Sequence, residues 1–424
     1  MQLSGIMQKR LVFILLFTVA DIIVCQAQRN EIFNERIKTL QVIVNNDCTV
    51  FPAVMRLDSD DELYIGFDDL THTYHRYIYK IEHCEADWTT SDQIFESDYL
   101  AGFNGNTIDD EPEQSLNTTV LYNHYSIYLP NQRCSLKMSG NYRLTVYDDD
   151  NDEKMFSVCF MVLEQKMSVS LSVTGNTDTD IYHSHQQVEM SLNYGSINIT
   201  DHDRQICTVV MQNGRWDNAV MNLAPTYIKR DGLSWSHNKG LIFDAGNEYS
   251  KFEMLDVHAL TMGIDHRRNY EDYYHTFLFP ISERRNYVYD EDADGAFVIR
   301  NADNDDVDYL CDYEFVHYAI ESPRLHDEVY LNGNWTNDLF ADEYKMEYNI
   351  ATGCYEAIVL QKQGYYNYQA LVLDADGRTH PLPSQGNFYE TENNYQALVY
   401  YKGNTDRTWK LVGYTSADFN KKHK

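Results

Sequence analysis

Cations are scarce in this chain. Lys and Arg number 34 against 65 Asp and Glu, a formal net charge of −31 over 424 residues. A surface so poor in positive charge excludes binding along a phosphate backbone, where Lys and Arg must displace counterions. It also excludes docking on an anionic membrane face. The acidity keeps the chain soluble and favours a basic protein surface as partner. Helical periodicity is nearly missing: only Glu31 to Lys38 carries a pattern that could turn once or twice. No CxxC pair occurs, nor any G-x-S-x-G elbow, H-E-x-x-H, P-loop or dinucleotide fingerprint. Those absences remove the common signatures of hydrolases, metalloproteases and nucleotide enzymes. The expectation is a non-enzymatic protein with no catalytic residue, no cofactor and no metal.

What is present begins with an address. Lys9 and Arg10 precede an apolar run from Leu11 to Val24, broken by Thr18 and Asp21, and Cys25-Gln26-Ala27 follows. That order predicts a cleaved signal peptide over residues 1–27, with the cut between Ala27 and Gln28. Lipidation of Cys25 is the alternative, against which Val24 stands where Gly or Ala normally precedes a lipidated Cys. The run is shorter than the roughly 20 apolar residues of a membrane span. Seven cysteines follow it, an odd number spread widely and set in apolar runs, which reads as buried free thiols. Cys134 with Cys159 is the pair to test first for a bridge.

Strand patterns fill the remainder. Tyr142, Leu144 and Val146 alternate with Asn141, Arg143 and Thr145, a half-buried strand, and Phe156 to Leu163 returns as a more buried one. Leu40 to Val44 and Tyr77 to Ile81 carry the same β-branched and aromatic bias. Val188 to Tyr194, Ile206 to Met211, Tyr274 to Pro280 and Ala296 to Ile299 continue the series. Six further candidates follow a polar connector at Asn301 to Asp306: 312–320, 328–331, 355–360, 366–373, 395–401 and 409–413. Regular short strands with turns between them predict an all-β fold of three tandem immunoglobulin-like or early-set β-sandwich domains after the signal peptide. The expected limits are 28–164 for the N-terminal domain, 165–304 for the middle one, 305–418 for the C-terminal one and 419–424 for a tail.

The middle of the chain holds its most distinctive stretch, Gln212-Asn213-Gly214-Arg215-Trp216-Asp217-Asn218. Asn-Gly tolerates positive φ and marks a hairpin turn. Two readings stand for Arg215, Trp216 and Asp217. The Trp packs at the base of its own sandwich, or the triplet presents an aromatic anchor for partner binding, since Trp and Arg dominate binding hot spots.

Three other groupings offer weaker chemistry. Asp290, Asp292, Asp294 and Gly295 match the opening of a calcium loop, yet Asn301 occupies the place of the closing Glu, so a solvated turn is expected. His183 and His185 lack further ligands at metal spacing. His83 and Cys84 resemble a base beside a thiol, but neighbours on a strand point to opposite faces.

Several motifs taken in order carry a family resemblance. They are His83 to Trp88, Tyr99 to Asn104, Leu136 to Tyr142, Gln212 to Asn218, Lys362 to Tyr368 and Tyr389 to Asn393. Together they span about Ile37 to Tyr414 and resemble the type IX secretion system plug protein family. The resemblance implies a periplasmic, non-catalytic accessory of an outer-membrane translocon. Such a subunit occludes the periplasmic mouth of the large translocon barrel while it is idle, so the implied partner is that barrel. The third domain also resembles early-set, glycogen-binding-like modules, through Asn332 to Trp335 and Gln363 to Gln369. The rival implication is an exported carbohydrate-binding protein.

Overall fold

The computed structural model describes residues 29–420 apart from 109, 110 and 271. The expected signal peptide therefore lies outside the described residues, as do residues 421–424 of the expected tail. The fold is all-β, as the alternation predicts. Ile37–Val44, Leu63–Asp69, Asn123–Leu129 and Glu113–Gln114 form one antiparallel sheet. Its Leu63, Ile65 and Phe67 pair across to Leu129, Ile127 and Tyr125, and all six are buried. They pack on a second sheet, where Tyr77–Cys84, Gly140–Asp148 and Lys154–Leu163 present Tyr77, Tyr142, Leu144, Val146, Phe156 and Phe160. Phe67 lies at the centre, stacked on Tyr125 at 5.3 Å and edge-on to Phe156 at 4.6 Å. Burying one such ring stabilises the fold by about 1.5–3 kcal/mol.

Two expectations about this region change. Glu31 to Lys38 does not turn into a helix: Glu31–Ile32 pairs with the Lys154–Leu163 strand, and Ile37 opens the next one. Ladder partners decide the conformation there, because eight residues cannot hold an isolated helix. The Gly140–Asp148 strand is also not half-exposed. Asn141 and Thr145 on its second face are buried too. Tyr400 covers that face and donates to Asn141 Oδ1 at 2.9 Å.

Tyr400 comes from the far end of the chain, and strand pairing there does not follow the expected limits. Ile206–Gln212 pairs antiparallel with Asn393–Tyr401, which pairs in turn with Lys410–Phe419. Leu411 on the last strand meets Leu163, so the N-terminal sheet continues through the C-terminal strands to the middle of the chain. The core around Val188, Leu192 and Trp235 is completed by Tyr395, Ala397 and Val399. Conversely, Ser250–Met254 and Phe297–Ile299 pair with Gly364–Leu373, and Tyr273–Leu278 runs parallel beside Tyr313–Glu321. One core from Phe252 to Leu382 results. The polar connector at 301–306 is thus a loop within that core's sheet, and ladders cross the limit expected at 304/305 in both directions.

A chain truncated after Asn304 lacks the Asn393–Tyr401 partner of Ile206–Gln212. It is expected to lose cooperative unfolding of the middle core in urea, followed by Trp235 fluorescence. A truncated chain with the parent's transition there would contradict the pairing.

A candidate interaction site where the cores meet

The Gln212–Asn218 stretch sits where strands of three chain regions converge. Asn213 (φ 54°) and Gly214 (φ 65°) turn the chain with successive left-handed residues. A Cβ on Gly214 would lie 2.6 Å from that of Phe51, so close approach and backbone conformation both require glycine. The partner strand does not resume until Val220–Met221. Arg215 to Ala219 therefore form a loop, and their side chains reach several elements.

Arg215 and Asp217 are turned inward. Arg215 is 8% exposed, and its guanidinium grips Asp217 with both arms, at 3.0 Å through Nε and 2.5 Å through Nη2. Thr379 also donates to Asp217, while the Trp216 amide donates to Asp338 Oδ2 at 3.1 Å. Burial opposes the Arg215 charge, but Asp217 holds its pKa above the usual value. Burial and the Asp217 charge together raise that of Asp338. Trp216 is half-buried and meets Trp88 of the N-terminal sandwich edge-on, 5.7 Å between centroids at 88°. Trp216 therefore packs across two sandwiches rather than within its own. Asn213 exchanges backbone and side-chain hydrogen bonds with Asn393 and Asn394, which ties in the C-terminal motif.

A second junction involves residues the sequence left unassigned. Lys362 Nζ lies 2.7 Å from Asp68 Oδ2 with both side chains buried, across 294 positions of sequence. Tyr313 donates to the same carboxylate at 2.6 Å, and His124 Nδ1 faces its other oxygen at 2.7 Å. The ammonium also sits over the Tyr122 ring at 4.2 Å and donates to the Asp308 carbonyl. Burial alone would raise the Asp68 pKa, yet Lys362 and His124 hold it below the ordinary carboxylate value. The available signal was slight: Lys362 closes a strand between Gln361 and Gln363, just before Gly364. Its partner could not be read.

The remaining candidates resolve into structural roles. His83 contacts Ser91 Oγ and the Ser139 carbonyl, while Cys84 joins the opposite core with its thiol pushed up to about 12 by burial. Neighbouring strand positions do face opposite ways. Asp292 accepts from the backbone amides of Tyr249 and Asp294, and Asp290 pairs with Lys251. His185 is held by Asp180 at 2.7 Å, with His183 largely exposed beside it. Among the described residues no three His, Cys, Asp or Glu are placed to hold a metal. Cys134 lies beside Tyr79 and Cys159 beside the Arg29 carbonyl, both as free thiols. Trp335 is buried, stacked near Tyr318 and edge-on to Tyr344, with its indole N–H on the Asn367 carbonyl. It offers no ring face to a sugar.

Residues 37–164 match the family model described as type 9 secretion system plug protein 1st domain. A hypothetical protein from Parabacteroides merdae ATCC 43184, known from its crystal structure, is 38% identical, with 92% of this chain and 99% of that chain covered and a TM-score of 0.88. The C-terminal domain of the antigen I/II-family protein AspA from Streptococcus pyogenes aligns over 90% of this chain and 99% of that chain at 10% identity. Its TM-score of 0.17 carries no argument. No curated protein matches the chain.

Lys362→Met is expected to cost about 3–5 kcal/mol at pH 7, because it strands Asp68 in the interior. The parent's carboxylate is more acidic when folded, so its contribution is full above about pH 4 and lost as pH falls through the folded value. Without Lys362, burial dominates and the sign inverts: the deficit should grow as pH rises from about 4 to 7. Urea unfolding at pH 4, 5.5 and 7 checks this, and a deficit independent of pH would contradict it. Trp216→Ala should cost about 3 kcal/mol through lost packing on Trp88. A fully stable variant would refute that contact.

Proposed function

The chain belongs to the type 9 secretion system plug protein family, and from that premise we propose that it is a periplasmic, non-catalytic plug. In this reading it binds the periplasmic mouth of a large outer-membrane β-barrel and closes it while the translocon is idle. The observation that carries the proposal is the match of residues 37–164 to the plug protein 1st domain. The physics of the fold supports it. A wide pore needs a stopper that keeps its shape, and interleaved ladders with the buried Lys362–Asp68 ion pair join these sandwiches. A net charge of −31 draws such a body toward a basic rim by long-range attraction, screened over a Debye length of about 8 Å. Arg215, Trp216 and Asp217 then serve the partner indirectly, by fixing the shape that the barrel meets.

Deleting the gene should make the envelope leaky to bulky antibiotics wherever the barrel is present. Deleting the barrel as well should restore the seal. Unchanged permeability, or a leak that persists without the barrel, would refute the proposal.

A further inference from the structure

One sheet face differs from the rest of the surface. At the end of the second ten-stranded sheet, Ile264–Tyr270, Tyr273–Leu278, Tyr313–Glu321 and Cys354–Lys362 lie side by side. Their inward positions fill the core, with Leu278, Val316, Tyr318 and Val359 buried. The outward positions should be polar on a soluble sandwich. They are not. His266, Phe277, His317 and Ile358 stand in register across all four strands. Arg268, His275, Phe315 and Leu360 form the adjoining row.

The rings of these rows stack on one another. His266 lies on Phe277 at 4.4 Å and 5°, and Phe277 on His317 at 4.0 Å and 17°. His275 faces Phe315 at 5.1 Å and contacts His317 nitrogen to nitrogen at 2.9 Å. Ring faces are therefore used up internally, which removes the flat platform a sugar would need. Edges and aliphatic groups are what the surface presents, with Ile358 and Phe279 each 57% exposed. Burial and the neighbouring His275 and His266 push His317 down to about 4, so this imidazole is uncharged near neutral pH. A stiff, ring-braced patch of this kind, with Phe277, Phe315, Ile358 and Leu360 set among three histidines and Arg268, has the composition of an interface centre, rich in aromatics with an Arg and poor in carboxylates.

The margin has the opposite character. Asp265 and Asp272 lie at the edge strand and its hairpin, and Glu321, Glu347 and Glu356 lie toward the other end, with all but Glu356 exposed. An aromatic and aliphatic centre with interspersed histidines, bordered by carboxylates on a chain of net charge −31, repels an acidic partner and fits a protein surface with an apolar centre and a basic rim. The geometry points to this face as the docking surface for such a rim, namely that of the translocon barrel; the assignment rests on the plug reading above.

The test places a photoreactive residue at Ile358 in the full chain in intact cells, with Phe103, exposed on the N-terminal sandwich, as control. Crosslinking to the barrel is expected from position 358 and not from 103. Crosslinks from 358 only to a second copy of this chain, only to lipid, or to nothing would overturn the assignment. A barrel crosslink from 103 alone would overturn it while leaving the plug reading standing; a sealed envelope in the deletion strain would remove that reading itself. In parallel, Ile358→Glu should leave the thermal midpoint of unfolding unchanged, weaken binding to the purified barrel at least tenfold and fail to restore the seal. Parent-like binding by that variant would contradict the inference.

Discussion

The relation between the two ends of this molecule depends on one buried contact, Lys362 with Asp68. Each is a charge that water solvates far better than protein does, so neither could be interior without the other. Tyr313 and His124 complete the carboxylate's hydrogen bonds, and Tyr122 covers the ammonium. Replacing such a pair with apolar residues often leaves stability unchanged, whereas removing one partner is costly. Its value here is geometric. A hydrophobic face tolerates sliding, but an ammonium that must find one carboxylate oxygen fixes the register between sandwiches. At the other junction the loop that holds the Arg215–Asp217 pair is tied to the last third of the chain by hydrogen bonds from Thr379 to Asp217 and from the Trp216 amide to Asp338.

Strand positions were largely legible in the sequence, because side-chain alternation follows directly from pleated backbone. Tyr142, Leu144 and Val146 could be assigned to a buried face on that ground alone, and they are fully buried. Alternation names a face but never a neighbour. Nothing in Ile206 to Met211 announces that its ladder partner is Asn393–Tyr401, and nothing in Ser250–Met254 that its partner is Gly364–Leu373. Three contiguous sandwiches were the simplest assumption, and interleaved ones were built. The same limit applied to the candidate site. A charged pair flanking a Trp after Asn-Gly marks a special loop, but whether it faces a partner or the interior is decided by Asp338 and Thr379, more than a hundred residues on. The stacked His and aromatic face escaped notice for a related reason: its rows exist only once four separate strands are set in register.

These features suit the plug proposed above. The cavity beside Gln212 and Arg215 is small, about 170 Å³. Interlocking ladders make it costly for one sandwich to swing away from another, since a hinge would have to break strand pairing rather than bend a linker. A stopper for a wide pore gains from that rigidity. In the plug proposed above, an acidic exterior would speed capture by a basic rim, and a stiff face of rings would give a contact to slow release.

The central claim is occlusion, and electrical conductance reads it directly. The purified translocon barrel reconstituted in a planar bilayer should pass a large ionic current. Adding this protein to the periplasmic side alone should reduce that current sharply, with the block weakening as salt rises, and adding it to the opposite side should do nothing. A current unchanged from either side, with binding established in the same sample, would contradict the account.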